Sequence, residues 1–149
     1  RPELLKTWFN DVALEPRVGG AIEVRFAHGK GECGGSSVHG VIREFRKPHA
    51  FAFSWVQQRP QPDGSIKHSD GGEVRFELQE KGDKVLLTLL HARIPTEELP
   101  NYGGGWHAYL DSLESRIAGR GAIEVVEVFH NLRPRYHDKI AGLQRSGAA

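Results

Sequence analysis

Eight histidines, one cysteine and a scatter of carboxylates are the side chains of this chain best equipped for chemistry. His28, His39, His49, His68, His91, His107, His130 and His137 show no H-x-x-x-H or Cys-paired spacing, so the pattern predicts no metal site. His91 differs from the others because it shares strand parity with Val85, Leu87 and Leu89. If those face inward it is a polar group in an apolar wall; a strand-end histidine near water is the reading favoured by the sequence. Cys33 sits in the Gly-rich stretch Gly31 to Gly35, and a lone cysteine cannot form an internal disulfide. It reads as incidental and points to a reducing, cytoplasmic compartment. Catalysis would need a paired acid and base or an activated nucleophile. Glu23, Arg25, Arg75 and Glu77 fall opposite the apolar positions of their strands and read as solvated cross-strand pairs. Ser36 and Ser37 read as a loop with no base beside them. Gly103 to Gly105 precede a helical pattern without a G-x-G-x-x-G spacing or a following Lys, so they read as a hinge or lid. No catalytic constellation emerges, and neither a cofactor nor a metal is expected.

The bulk properties narrow the class. There are 149 residues, 38% of them hydrophobic and 26% charged, which suits one soluble domain with a real core. Lys and Arg number 20 against 19 Asp and Glu. That balance gives no field to attract nucleic acid or an anionic membrane. No apolar run approaches the roughly 20 residues that cross a bilayer. Arg1 is followed by no signal-peptide pattern, and the chain contains no Met, so Arg1 reads as an internal residue of a longer product.

These residues need elements to hold them. Leu4, Leu5, Trp8 and Phe9 recur at helical spacing and predict a short helix ending near Asn10-Asp11, followed by a turn from Glu15 to Gly20. The period then changes to two. Ile22, Val24 and Phe26 share one strand face, as do Phe51, Phe53 and Trp55, and Val74, Phe76 and Leu78. A Pro/Gly/Asp-rich loop is expected from Arg59 to Gly72, and KVLLTLLHA reads as a final strand. Short strands with turns between them favour an antiparallel meander of about five strands. Trp106, Tyr109, Leu110, Leu113 and Ile117 form the apolar stripe of a long helix that Gly119 and Gly121 end. From Ile123 to Phe129 strand and helix compete, and Tyr136, Ile140 and Leu143 predict a last helix.

Three stretches carry a family resemblance. LLKTWF followed by EPRVGGAIEVRF, then GVIREFRKPHAFAFSW, then KVLLTLLHARIP with GGGWHAYLDSLESRIAG occur in family order over most of residues 1 to 119. Together they resemble the activator of heat-shock-protein-90 ATPase homologue group of the START-like (SRPBCC) class. The resemblance implies an α+β helix-grip fold: a strand, two short helices, six antiparallel strands curved around a long C-terminal helix. On that pattern residues 1–121 form one domain lacking its first strand and helix, and 122–149 a helical extension.

The resemblance and the aromatic strand faces together imply a binding module. Its expected cavity lies between sheet and helix, holds a small hydrophobic ligand, and is lined by Val24, Phe26, Phe53, Trp55, Phe76, Leu87, Leu89, His91, Trp106 and Leu110. Two alternatives stand beside it: a co-chaperone-like regulator that docks a protein partner or a second copy, and a cyclase or hydrolase of the kind some relatives represent.

Overall fold

The computed structural model describes residues 2–26 and 35–146; Cys33 and His28 lie outside them. The elements are helix α1 (Pro2–Leu5), strands β1 (Asp11–Leu14), β2 (Ala21–Arg25), β3 (Ser37–Arg46), β4 (Ala50–Pro60), β5 (Ile66–Lys81) and β6 (Lys84–Ala92), then helices α2 (Leu99–Ile117) and α3 (Val125–Ser146). They form two compact units, Arg1–Glu3 with Asn10–Ile94 and Leu4–Phe9 with Pro95–Ala149.

The first unit is a six-stranded antiparallel meander in the order β1-β2-β3-β4-β5-β6. Its register aligns the apolar positions of neighbouring strands: Val12 opposite Val24, Val24 opposite Val38, Ile42 opposite Phe53, and Phe53 opposite Val74. Because side chains alternate along a strand, these pairs fall on one face, and each of the six residues is at least 94% withdrawn from solvent. The other face carries charge. Arg25 pairs with Glu23, Arg46 with Glu44, and Arg75 with both Glu77 and Glu44. Arg75 and Glu44 flank the small Ala52 in register, which lets them meet across β4. So Glu23/Arg25 and Arg75/Glu77 pair along their own strands, at i and i+2.

Three expectations change here. The sheet has six strands where about five were expected, because β1 is only four residues long and too short to show a period. Its pairing with β2, through Leu14 opposite Ile22, is what defines it. The helix at the start is correspondingly brief, ending at Leu5. The expected loop from Arg59 to Gly72 shrinks to residues 61–65, since β4 runs to Pro60 and β5 begins at Ile66. Its turn is closed by the Asp63 carboxylate, which accepts from the Ser65 amide at 2.9 Å and the Ser65 hydroxyl at 2.6 Å. The polar residues of this ribbon hid its alternation.

The second unit is built on close approach. Phe9 stacks on Trp106 with ring centroids 5.5 Å apart and meets Tyr109 edge-on at 4.7 Å. Along α2 the buried positions include Gly104, Ala108, Ser112 and Ser115, a row of small residues, whereas Ile117 is 78% exposed and lies outside it. Gly103 to Gly105 are not a hinge or lid: they lie inside α2. A Cβ on Gly103 would meet the Tyr136 ring at 2.5 Å, and one on Gly104 would touch Phe129 and Arg133 at 3.4 Å. Glycine there lets α3 come close. The segment where strand and helix competed is helical from Val125 onward, with Pro134 inside it. Packing of Phe129, Arg133 and Tyr136 on α2, at spacings of four and three, decides that ambiguity. No helix of the described residues is long and apolar enough to cross a membrane.

Candidate functional site

β4 presents its aromatic residues as one connected row. Phe45 meets Phe51 at 5.9 Å between centroids, Phe51 meets Phe53 at 5.3 Å, and Phe53 meets Trp55 at 6.0 Å. Around Trp55 stand Phe26 at 6.2 Å and His91 at 5.2 Å. Alternation along β4 puts residues 51, 53 and 55 on one face, and cross-strand register brings Val74, Phe76 and His91 to it. Of the residues expected to line a site, Val24, Phe53 and Trp55 are buried on this face. Phe26, Phe76, Leu87, Leu89 and His91 are half-buried in the same unit. Trp106 and Leu110 belong to the helical unit, where Trp106 packs on Phe9.

His91 stands next to the end of β6, as its sequence neighbourhood favoured, but it is half-buried with its ring against Trp55, the polar member of the apolar wall. Its Nε2 donates to the Gly71 carbonyl at 2.6 Å. Burial against Trp55 and the sheet pushes its pKa down to about 4, although the Gly71 bond works the other way. The ring is therefore neutral at pH 7, with its proton on Nε2. Gly72 makes this geometry possible. Its φ is +78°, and a Cβ there would run into the Ala92 carbonyl.

An open cavity of about 120 Å³ lies at the Phe51 end of the row. Phe45, Phe51, Phe76 and Leu78 wall it, and the β3–β4 turn from Arg46 to Ala50 forms its rim. The Lys47 ammonium sits 5.2 Å from the Phe45 ring centroid, a cation–π approach that leaves its charge at the mouth. Of the expected lining residues only Phe76 touches this cavity. Sequence reading missed Phe45, Phe51 and Leu78 as lining, although the alternation that placed Phe51 with Phe53 and the turn Lys47-Pro48-His49 were both visible. A second recess, about 310 Å³, lies within the helical unit between Thr96, Glu97 and Pro100 on one side and His137, Ile140, Ala141 and Gln144 on the other.

The residues with catalytic potential do not assemble on the apolar face. Ser37 is not in a loop beyond reach of a base: it opens β3, and its Oγ lies 3.1 Å from His39 Nε2. Both alternate away from buried Val38, and Glu23, opposite His39 in register, gives its carboxylate to Arg25. Among the described residues no group of three His, Cys, Asp or Glu could hold a metal ion.

A small antiparallel sheet with an aromatic face, followed by a long helix, defines an α+β helix-grip protein. The family model described as "Activator of Hsp90 ATPase homolog 1-like protein" matches residues 1–118, and the chain belongs to that family, within the SRPBCC class. The crystal structure of CalU16 from Micromonospora echinospora is similar to this chain with a TM-score of 0.66 and 26% identity, over 93% of this chain and 74% of that one. The solution structure of CalU16 gives a TM-score of 0.65 at 23% identity, over 98% and 76%. No curated protein matches.

Proposed function

We propose that this protein is a binding module for a small apolar molecule, which it holds at the aromatic face of its sheet with one ring or short chain in the cavity beside Phe51. The cavity itself carries this reading: about 120 Å³ of space walled by Phe45, Phe51, Phe76 and Leu78. The recess is open on one side, so a guest there would bury one face of a ring or short chain rather than be enclosed, as benzene is in a closed apolar hole of roughly 150 Å³. Pockets for small molecules are mostly apolar with few polar groups, as this one is. Family membership supports a ligand-binding or regulatory role in general. Native mass spectrometry of gently purified protein, set against its denatured mass, tests the reading. An extra mass that vanishes on denaturation is expected, and Leu78→Trp, which fills the cavity, should abolish it. A wild-type protein that carries no extra mass and binds neither toluene nor indole by calorimetry would end this proposal.

A second reading, docking of a protein partner or a second copy, is favoured by one observation. On β6, an edge strand among those described, Val85, Leu86 and Leu90 are exposed. Exposed apolar residues on a strand edge invite pairing with another chain. Light scattering tests the second-copy version, for which a dimer that Leu90→Lys returns to monomer is expected.

A further inference from the structure

We infer that the apolar face carries an oxyanion-binding subsite at its other end, built on Arg59 with Gln57 and Lys67, which takes the carboxylate or phosphate group of a small ligand. β4 does not stop at its aromatic residues. Positions 57 and 59 continue the alternation of Phe53 and Trp55, so Gln57 and Arg59 project from the same face. Gln57 is 7% exposed, and its Oε1 accepts from an Arg59 Nη at 2.9 Å. That bond joins the two side chains and fixes the guanidinium beside the Trp55 end.

Two independent features mark the guanidinium as incompletely served. Its Nε is withdrawn from solvent and has no hydrogen-bond partner among the described residues. A buried donor left unbonded is costly, and native structures rarely tolerate one without a reason. The single protein acceptor on this fork is also neutral: among the described residues no carboxylate pairs with Arg59. The second feature is the register. Arg59 lies directly opposite Lys67 on β5, which places two cations side by side on one face. Like charges directly opposite on a sheet are unfavourable. An oxyanion relieves both at once. It takes the Nε and Nη edge as a bidentate acceptor in place of Gln57 Oε1, and it neutralises the pair.

The chemistry of the neighbourhood selects the group's class. Arg59 and Lys67 offer only N–H donors, which suits an acceptor and excludes a cation. The planar fork matches a carboxylate or a phosphate equally, so the two remain to be separated by measurement. This subsite is distinct from the cavity at Phe51, and eight residues of strand separate their anchors, about 26 Å of extended chain.

The test uses the side-chain Nε–Hε resonance of Arg59, which reports on the unpartnered atom itself. Benzoate, phenyl phosphate and benzamide are titrated in turn at pH 7. Benzamide has nearly the shape of benzoate without its charge. A saturable downfield shift of Hε is expected with benzoate, phenyl phosphate or both, and which one shifts it identifies the source. Benzamide should bind at least about tenfold more weakly. Arg59→Gln should weaken binding of the shifting anion by about tenfold, read from other amides of β4 and β5. Lys67→Gln, at an exposed position that leaves the fold intact, should weaken it about two- to threefold and reduce its salt dependence. No saturable shift with either anion, equal affinity for benzamide, or unchanged affinity in both variants would each overturn the subsite. None of these outcomes touches the cavity at Phe51, whose own test is the binding of uncharged guests.

Discussion

Val24, Val38, Ile42, Phe53 and Val74, the largest side chains fully withheld from solvent, all belong to the sheet unit, whereas α3 runs for 22 residues without one buried position. The difference follows from how each element meets its neighbours. A strand buries every second side chain against a whole face, so six strands in register make a continuous apolar layer. The helices of the second unit gain contact by backbone approach, through Gly103, Gly104 and the small residues of α2. Large side chains therefore hold the sheet throughout, whereas in the helical unit they gather at Phe9 and Trp106 and the α2–α3 seam depends on small residues.

The contrast can be broken most sharply at Phe53. Phe53→Ala removes a fully buried ring from the middle of the aromatic row and should lower stability by about 3–5 kcal/mol in urea unfolding. Phe129→Ala on α3, where the ring is half-buried, should cost about 1–2 kcal/mol. Equal losses would mean that the two units share one core logic after all.

A smaller effect comes from His91. Its folded pKa, about 4, is depressed below the ordinary histidine value of 6.5, so between these values the unfolded chain binds a proton that the folded chain refuses. The stability tied to a neutral His91 is thus complete above about pH 6.5 and is lost progressively as the pH falls toward 4. Comparing urea unfolding at pH 7 and pH 4.5 should show a loss on the order of 2 kcal/mol that His91→Gln removes, since glutamine has no proton to gain.

Two neighbouring glycines of α2 sharpen the other side of the comparison. Gly103→Ala drives a methyl group into the Tyr136 ring and should destabilise by about 1–2 kcal/mol. Gly105→Ala has open space around the new Cβ and should stabilise by about 0.5–1 kcal/mol through helix propensity. Opposite signs two residues apart, in thermal unfolding, would establish that space rather than propensity governs this seam. The smallest change is expected on the charged face of the sheet. Glu44→Gln breaks partly exposed pairs with Arg46 and Arg75 and should shift stability by less than about 1 kcal/mol, less again at high salt.

Much of this was legible in the residues. The alternation of AFAFSWV put Phe53 and Trp55 on one face of their strand, and that of EVRFELQ put Val74 and Phe76 on one face of theirs, because a period of two follows from the strand backbone itself. The helix from the Trp106 region to Ile117, and its end at Gly119, were legible from spacing and from glycine's freedom at positive φ. Family order of the three motifs carried the α+β helix-grip assignment. β1 was not legible, since four residues hold no measurable period. The ribbon from Gln57 to Ser69 was hidden because polar side chains on both faces erase alternation.

Local pattern thus determined which residues share a face and which segments coil, since those depend only on the geometry of the backbone and the polarity of each side chain. Tertiary structure alone decided what each face encloses. That His91 sits in the wall, that glycines 103 and 104 form a seam rather than a hinge, and that space opens beside Phe51 while Arg59 lies next to Lys67 all depend on partners distant in the chain. Register and close approach bring those partners together, and neither is written in the spacing of any one segment.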